Sequence, residues 1–110
     1  MSADLSIAEI LHASGGVRFR YARVLSEDGS RWLRHGLFVE YDENGAVVSE
    51  GSYLMGKEHG LWRDYYPNGK PAAEGEYEAG LEHGPWRFWD ENGNVRSASF
   101  VRGQEVQSAA

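Results

Sequence analysis

A repeat of 24 residues organises most of this chain. Two dipeptides recur at that interval: His-Gly at 35–36, 59–60 and 83–84, and Asn-Gly at 44–45, 68–69 and 92–93. Two aromatic positions keep the same interval: Phe38, Trp62 and Trp86, then Tyr41, Tyr65 and Trp89. The third copy is one residue shorter after its Asn-Gly, and no further His-Gly follows it. Such a period indicates one supersecondary unit repeated side by side, with two complete units and a shortened third.

Each unit predicts a β-hairpin. Asn-Gly between apolar-rich segments is the strongest short hairpin signal, since a two-residue type I′ turn needs positive φ at both central residues. Gly56 and Gly80 follow the second strand of each complete unit and turn the chain back toward the next one. Because consecutive hairpins need no crossover segment, the strands form an antiparallel meander.

The fold class predicted is therefore all-β. Ahead of the repeats, Val17, Phe19 and Tyr21 alternate with Arg18 and Arg20, which is the period of a strand. Together with the repeats this predicts about seven strands: 17–25, 31–42, 46–54, 60–66, 72–78, 84–90 and 95–102.

The hairpin register predicts which face of the sheet is packed. A two-residue loop places Trp62 opposite Gly75, and Phe38 opposite Gly51, so that an aromatic ring lies over a cross-strand glycine. The packed face also takes Tyr66, Ala73 and Tyr77, with Asp64 as its charged exception. On the other face Arg63 is expected to form a charge pair with Glu74. The residue missing from the third unit predicts a bulge or an altered turn there.

The N-terminal segment predicts a short helix that caps the sheet. Ser6 and Glu9 have the spacing of a capping box, and Gly15-Gly16 would end a helix over 6–13. A chain of 110 residues is expected to form one domain. Its predicted parts follow one another: the capping helix at 1–16, an Arg-rich hairpin at 17–34, the repeats at 35–103 and a flexible tail at 104–110.

The composition limits the expected cellular location and the kinds of chemical site that the chain can form. The chain has no cysteine, which excludes disulfides, thiolate metal sites and cysteine nucleophiles. No apolar segment approaches the length of a membrane-spanning helix, and residues 1–16 lack the basic region of a signal peptide. A cytoplasmic location is expected.

Negative charge is concentrated in the middle of the chain. The net charge is −6, and residues 40–91 hold twelve acids against four bases. This charge repels phosphate backbones and anionic lipids, so neither nucleic acid nor a membrane is expected as a partner. It would steer a basic protein instead.

The 24-residue interval of His35, His59 and His83 raises the possibility of a metal site, but the spacing of strands in a sheet argues against it. Equivalent positions two strands apart are separated by about 9–10 Å, whereas zinc ligands lie about 2 Å from one ion. Structural roles are expected for these histidines. No nucleophile–base constellation or phosphate-binding loop stands in the sequence, so no catalysis, metal or cofactor is predicted.

The face opposite the packed one provides the candidate site. Trp, Tyr and Arg are the side chains on which binding energy concentrates in protein interfaces. Seven residues are predicted to bind a partner: Tyr41, Tyr65, Trp89, Arg63, Arg87, Glu74 and Glu76. Two alternatives stay open. The aromatic row packs within the protein, or the partner binds the hairpin at 18–34.

The pattern Gly-x-Tyr-x-x-Gly-x-x-His-Gly-x-Trp occurs at 51–62 and again at 75–86. It resembles the MORN repeat, in a bacterial variant, and is similar to the YwqK-type antitoxins and immunity proteins. The resemblance covers about 35–103 and departs from the pattern at Phe38, at Ala98 and in the shortened third copy. It implies a binding module that neutralises a toxin by direct contact. A scaffold that organises an assembly or a membrane surface is the alternative, followed by a small-ligand or enzymatic groove. The partner's identity and the oligomeric state stay open.

Overall fold

The structure, a computed structural model, describes residues 5–106, which form a single antiparallel sheet of ten strands. The strands are β1 Ser6–Leu11, β2 Val17–Leu25, β3 Trp32–Tyr41, β4 Val47–Leu54, β5 Lys57–Glu58, β6 Gly60–Tyr65, β7 Pro71–Glu78, β8 Leu81–Trp89, β9 Val95–Val101 and β10 Gln104–Val106. They cross the sheet in chain order, except that β5 pairs with β4 beside the path. The all-β antiparallel meander is confirmed, with ten strands instead of seven. Within this range no helix is long and apolar enough to span a membrane.

The predicted N-terminal capping helix is wrong. Ser6–Leu11 is a strand that pairs with β2, and it sets Ala8 opposite Tyr21 and Ile10 opposite Phe19. A helix of two turns gains little without tertiary packing, whereas a strand here completes a hydrogen-bonded ladder. Glu9, expected in a capping box, instead forms an ion pair with Arg20 at 2.6 Å.

The segment predicted as a flexible tail is partly a strand. Gln104–Val106 forms β10, which pairs with β9. Residues 107–110 of that predicted tail, and residues 1–4 of the predicted helix segment, lie outside the described residues.

The Asn-Gly turns are not of type I′, so that prediction is wrong. Positive φ occurs at Gly45, Gly69 and Gly93, but not at the asparagines before them. In the first unit the Asp42 amide donates to the Ala46 carbonyl, and the Gly45 amide donates to the Asp42 carbonyl. This is a three-residue loop in which a type I turn is followed by a left-handed glycine.

Type I′ turns occur instead at the other end of the hairpins. At Met55-Gly56, Ala79-Gly80 and Arg102-Gly103 both residues have positive φ, 48° and 91° in the first of these turns. The predicted role of Gly56 and Gly80 in turning the chain back is confirmed. The amide of each of these glycines also donates to a strand carbonyl outside the turn: Gly56 to Arg34, Gly80 to Glu58 at 3.0 Å, and Gly103 to Glu82.

Two one-residue shifts cancel within each complete unit. The three-residue loop moves the register by one residue relative to a two-residue turn, and a bulge at Val48 or Ala72 moves it back. The predicted opposition of Phe38 to Gly51, and of Trp62 to Gly75, is therefore confirmed. In the third unit Trp86 pairs with Ala98 without any register shift. The third unit lacks the residue that forms this bulge in the other two. The bulge predicted for the third unit therefore occurs in the two complete units instead.

The His-Gly dipeptides form the bulges between units. Gly36, Gly60 and Gly84 have φ of 104°, 78° and 75°. Around Gly84 the register moves by two residues, from Glu74 opposite Arg87 to Glu76 opposite His83. A left-handed residue is needed at this point of each unit, and glycine adopts it without steric cost.

The core is a continuous set of aromatic rings on one face of the sheet, here called the aromatic face. Phe38, Trp62 and Trp86 are buried, and seven further residues pack against them: Phe19, Tyr21, Tyr53, Ala73, Tyr77, Phe88 and Phe100. Ring centroids such as those of Tyr77 and Trp86 lie 5.1 Å apart. The predicted packed face is confirmed. Its rings cover one another, so the expected helix is not needed as a cover.

The ring over each glycine belongs to the neighbouring unit, contrary to the expectation that it comes from the same hairpin. Trp62 lies against Gly51 and Trp86 against Gly75. The indole Nε1 of Trp62 donates to the Ser52 carbonyl at 2.9 Å, and that of Trp86 donates to the Glu76 carbonyl at 3.0 Å. Successive units are thus locked together on the aromatic face.

Candidate protein-binding face

The side of the sheet opposite the aromatic face, here called the second face, displays three parallel rows of side chains. Residues two apart along a strand point to the same side of the sheet. Phe38, Trp62 and Trp86 point to the aromatic face, so the odd-numbered residues beside them on β3, β6 and β8 point to the second face. The rows are Leu37, Leu61 and Pro85; Val39, Arg63 and Arg87; and Tyr41, Tyr65 and Trp89. The described residues form one sheet, with extents of 51 × 34 × 20 Å along the principal axes. Within residues 5–106 no second layer covers these rows.

Alternating charges form a ladder across the middle of the second face. Glu50 pairs with Arg63, Arg63 with Glu74, and Glu74 with Arg87 along the strand register. Arg63 Nε lies 3.7 Å from Glu74 Oε1, which confirms the predicted charge pair. An exposed cross-strand pair of this kind contributes about 0.2–1 kcal/mol. The pair also brings the two side chains together on the surface.

The same row continues to the N-terminal edge of the sheet. Arg20 pairs with Val39 on one side and with Glu9 on the other. The hydrogen bond from the Arg20 guanidinium to the Glu9 carboxylate raises the pKa of Arg20. The second face therefore carries paired charges on β1 and β2 and again from β4 to β8, with Val39 of β3 between the two groups.

The predicted aromatic row lies on one face, and each of its members is half-buried. The Tyr65 hydroxyl donates to Glu50 Oε1 at 2.6 Å, which raises the pKa of Tyr65. The Tyr41 carbonyl accepts a hydrogen bond from His12 Nε2 at 2.9 Å, and the Trp89 carbonyl accepts one from the Tyr66 hydroxyl. The Tyr65 contact holds a side chain of the row, whereas the other two are made by the backbone of Tyr41 and Trp89. All three residues stay partly accessible.

Two leucines on this face were not among the seven predicted binding residues, although Leu61 was expected on this face. Leu37 is 73% exposed and Leu61 46%, and both line a shallow groove with Val39, Glu50 and Arg63. Their 24-residue interval was a signal for them. The predicted site residue Glu76 lies beside this groove, opposite Leu61 on β6 and His83 on β8.

The repeat histidines have separate surroundings. His35 Nδ1 accepts a hydrogen bond from the Met55 amide in the following type I′ turn at 3.1 Å. His83 Nε2 lies 3.6 Å from a Glu78 carboxylate oxygen. Within residues 5–106 no three histidine, aspartate or glutamate side chains converge as a metal site requires.

The arginines of the hairpin at 18–34 divide between the two faces. Arg20 lies on the second face, whereas the Arg34 guanidinium lies over the rings of Tyr21, Phe38 and Tyr53, 4.9 Å from the Tyr21 centroid. Arg23 lies 4.1 Å from the centroid of Trp32. The alternative site on this hairpin therefore adjoins the aromatic row at Arg20, next to Tyr41, while Arg34 lies on the other face.

Comparison with known proteins identifies the repeats. The family described as MORN repeat variant matches residues 34–54, 58–79 and 82–101. These segments cover nearly all of β3 with β4, β6 with β7, and β8 with β9, so the match includes the shortened third unit. No curated protein and no solved structure matched the chain. Because the matched segments make up more than half of the sequence, the chain belongs to the MORN repeat variant family.

Proposed function

We propose that this chain is a non-catalytic protein-binding module of the cytoplasm that neutralises a toxin by direct contact through its second face. One observation carries the proposal. Tyr41, Tyr65 and Trp89 lie in one row beside Arg63 and Arg87, on a face that no other layer within residues 5–106 covers. Aromatic and arginine anchors surrounded by polar side chains are the composition of an interface.

Two of the anchors make side-chain contacts within the free protein. Tyr65 is held by Glu50, and Arg63 by Glu74. Side chains that are fixed before binding lose less conformational entropy when a partner docks. The second face is therefore suited to recognise a flat partner surface without rearrangement.

Charge supports a basic partner. Residues 40–91, which form the repeats, hold twelve acids against four bases. Such a surface accelerates encounter with a positively charged protein. The toxin-neutralising role is supported by the resemblance of 51–62 and 75–86 to the YwqK-type antitoxins.

The test begins with capture of the partner by the tagged full chain. The captured protein is then expressed alone and together with this chain. Arrest of growth by the captured protein, relieved by co-expression, is the expected result. A captured protein that is harmless when expressed alone contradicts the toxin role.

The binding surface is tested by calorimetry with the captured protein. Tyr65→Ala and Trp89→Ala should each weaken binding by about 1–3 kcal/mol. Trp32→Ala is the control, since Trp32 is an exposed aromatic of the N-terminal hairpin, stacked with Arg23. Loss of affinity in the control alone, with the row variants unchanged, would place the site on the hairpin at 18–34.

The second candidate function is a scaffold. The elongated single layer, 51 Å long and 20 Å thick, leaves room for different partners on different parts of its surface. Simultaneous retention of two captured proteins in one complex would favour this role. Sedimentation with anionic vesicles tests the membrane version, which the acidic repeats disfavour.

A further inference from the structure

The first strand of the sheet has an open apolar edge. β1 pairs with β2 on one side, and no strand within residues 5–106 pairs with its other side. Three residues of β1 and the residue before it are large, apolar and exposed: Ile7, Ile10, Leu11 and Leu5. Ile7 is 66% exposed and Leu11 56%. An edge of this kind is a template for pairing with another strand.

The opposite edge of the sheet is less apolar. The described part of β10, Gln104–Val106, carries one large apolar residue, Val106, beside Glu105, whose carboxylate lies 3.3 Å from Arg96. β1, together with the residue before it, presents four large apolar residues and one charge, Glu9, which lies 2.6 Å from Arg20. Of the two described edges, β1 is therefore the more favourable template for pairing.

We propose that β1 pairs antiparallel with β1 of a second copy of this chain, with the twofold axis at Ala8. This register sets Leu5 opposite Leu11 of the other copy, and Ile7 opposite Glu9 of the other copy. An axis at Glu9 would place two carboxylates directly opposite, which is unfavourable. An axis at Ile7 would set Leu11 opposite position 3, which lies outside the described residues. Ala8 is the centre that pairs the most apolar residues without opposing charges.

The regularity of β1 supports this pairing. The irregularity between β1 and β2 comes from an extra residue in β2, Arg18, since Ile10 pairs with Phe19 and Leu11 with Val17. β1 itself therefore keeps its strict alternation. Ala8 and Ile10 continue the aromatic face, and Ile7, Glu9 and Leu11 continue the second face.

Symmetry favours a closed dimer over a filament. Pairing of β1 with β10 of another copy would be head-to-tail and would repeat without end. Pairing of β1 with β1 uses residues 5–11, seven from each copy, closes the assembly and leaves the less apolar β10 edges outside. Both second faces then lie on the same side, which presents two candidate binding surfaces to one partner assembly.

Analytical sedimentation of the full chain across a wide concentration range tests whether two copies pair through β1. The wild-type protein should dimerise reversibly, and Ile7→Lys should shift it to monomer because lysine on an edge opposes pairing. Val106→Lys, an exposed position on the other edge, is the matched control and should still dimerise. A wild-type protein that stays monomeric throughout overturns the proposal. So does a folded Ile7→Lys variant that dimerises like the wild type.

Single cysteines test the register, since the chain has none of its own. Directly opposite residues have Cα atoms about 4.5–5.5 Å apart, within the range of a disulfide. Ala8→Cys should therefore form an intermolecular disulfide readily under mild oxidation. Ile7→Cys, which lies opposite Glu9 and not opposite itself, should form it far more slowly. Faster cross-linking of Ile7→Cys overturns the axis at Ala8.

Discussion

The indole of Trp86 lies directly on the backbone of Gly75. A Cβ added to Gly75 would lie 2.1 Å from Trp86 Cδ2, and one added to Gly51 would lie 2.2 Å from Trp62 Cδ2. The third equivalent position is Ala98, and no further tryptophan follows to cover it. The glycine is therefore required only where the next unit supplies a ring, which explains why the last copy departs from the repeat.

Gly75→Ala should strongly destabilise the protein. Trp86 cannot move aside freely, because its Nε1 donates to the Glu76 carbonyl at 3.0 Å. We expect a loss of about 3 kcal/mol in the free energy of unfolding, at the upper end of the usual cost of overpacking. Denaturant unfolding measures it. Ala98→Gly is the control and should cost about 0.5–1 kcal/mol. Equal effects of the two substitutions would show that the ring does not determine the residue.

Ala79→Asn should stabilise the protein by about 0.5–1 kcal/mol. Ala79 holds a φ of 51° in a type I′ turn, and asparagine adopts this conformation far more readily than alanine. The thermal midpoint is the measurement. Glu43→Asn is the matched control, since Glu43 lies in a loop that requires positive φ only at Gly45. A gain in the control as large as that of Ala79→Asn would mean that backbone conformation is not the cause.

Gly69→Val should destabilise by more than about 1 kcal/mol, because Gly69 has a φ of 87° that a β-branched residue rarely adopts. Nothing lies within 4 Å of a Cβ built there, so the cost is conformational and not steric. An unchanged denaturation midpoint would contradict the turn assignment.

The sequence predicted the meander because the 24-residue interval and the type of each position were visible without any structure. The opposition of Trp62 to Gly75 was also correct, but through two compensating errors. The loop has one residue more than assumed, and the bulge at Ala72 restores the register. Asn-Gly is compatible with either turn, since both need a left-handed glycine, so the dipeptide alone could not decide between them.

The N-terminal strand could not be predicted from local signals. Ser6 and Glu9 satisfy a capping box, yet the environment of this segment is the edge of a sheet whose second strand is 17–25. Pairing with that strand outweighs a weak helical preference. For the candidate site, the two-residue period of a strand placed Tyr65 and Arg63 on one face, and the 24-residue interval aligned Tyr65 with Tyr41 and Trp89. The groove at Leu37 and Leu61 could not be predicted from the sequence. Whether these leucines are exposed depends on whether another part of the chain packs over them, which only the structure shows.

Glu74→Lys should slow association with a basic partner and reduce its dependence on salt. Glu74 lies between Arg63 and Arg87, so the substitution places three positive charges in adjacent positions of the ladder. Removal of acidic charge weakens the steering of a basic protein. Stopped-flow association at several ionic strengths gives the measurement. Glu43→Lys, in a hairpin loop away from the ladder, should have a smaller effect on the association rate. Identical slowing by both substitutions would indicate that net charge alone matters.

Tyr77 should make stability fall in alkaline solution. Burial raises the pKa of Tyr77 to about 12, and the carboxylates of Glu82, Glu58 and Asp64 act in the same direction. An unfolded tyrosine ionises near pH 10, at about its ordinary pKa. The folded state therefore keeps the proton while the unfolded state releases it, and this contribution is complete below about pH 10 and lost as pH rises toward 12.

Tyr77→Phe isolates this contribution, because phenylalanine keeps the ring between Trp62 and Trp86 and removes the ionisable hydroxyl. The variant should lose less stability than the wild type between about pH 9 and about pH 11, where only the unfolded phenol ionises. Denaturant unfolding at each pH gives the comparison, and the phenolate absorbance of the native proteins should lose its most alkaline step in the variant. Parallel pH profiles for the two proteins would show that Tyr77 titrates at its ordinary pKa in the folded sheet.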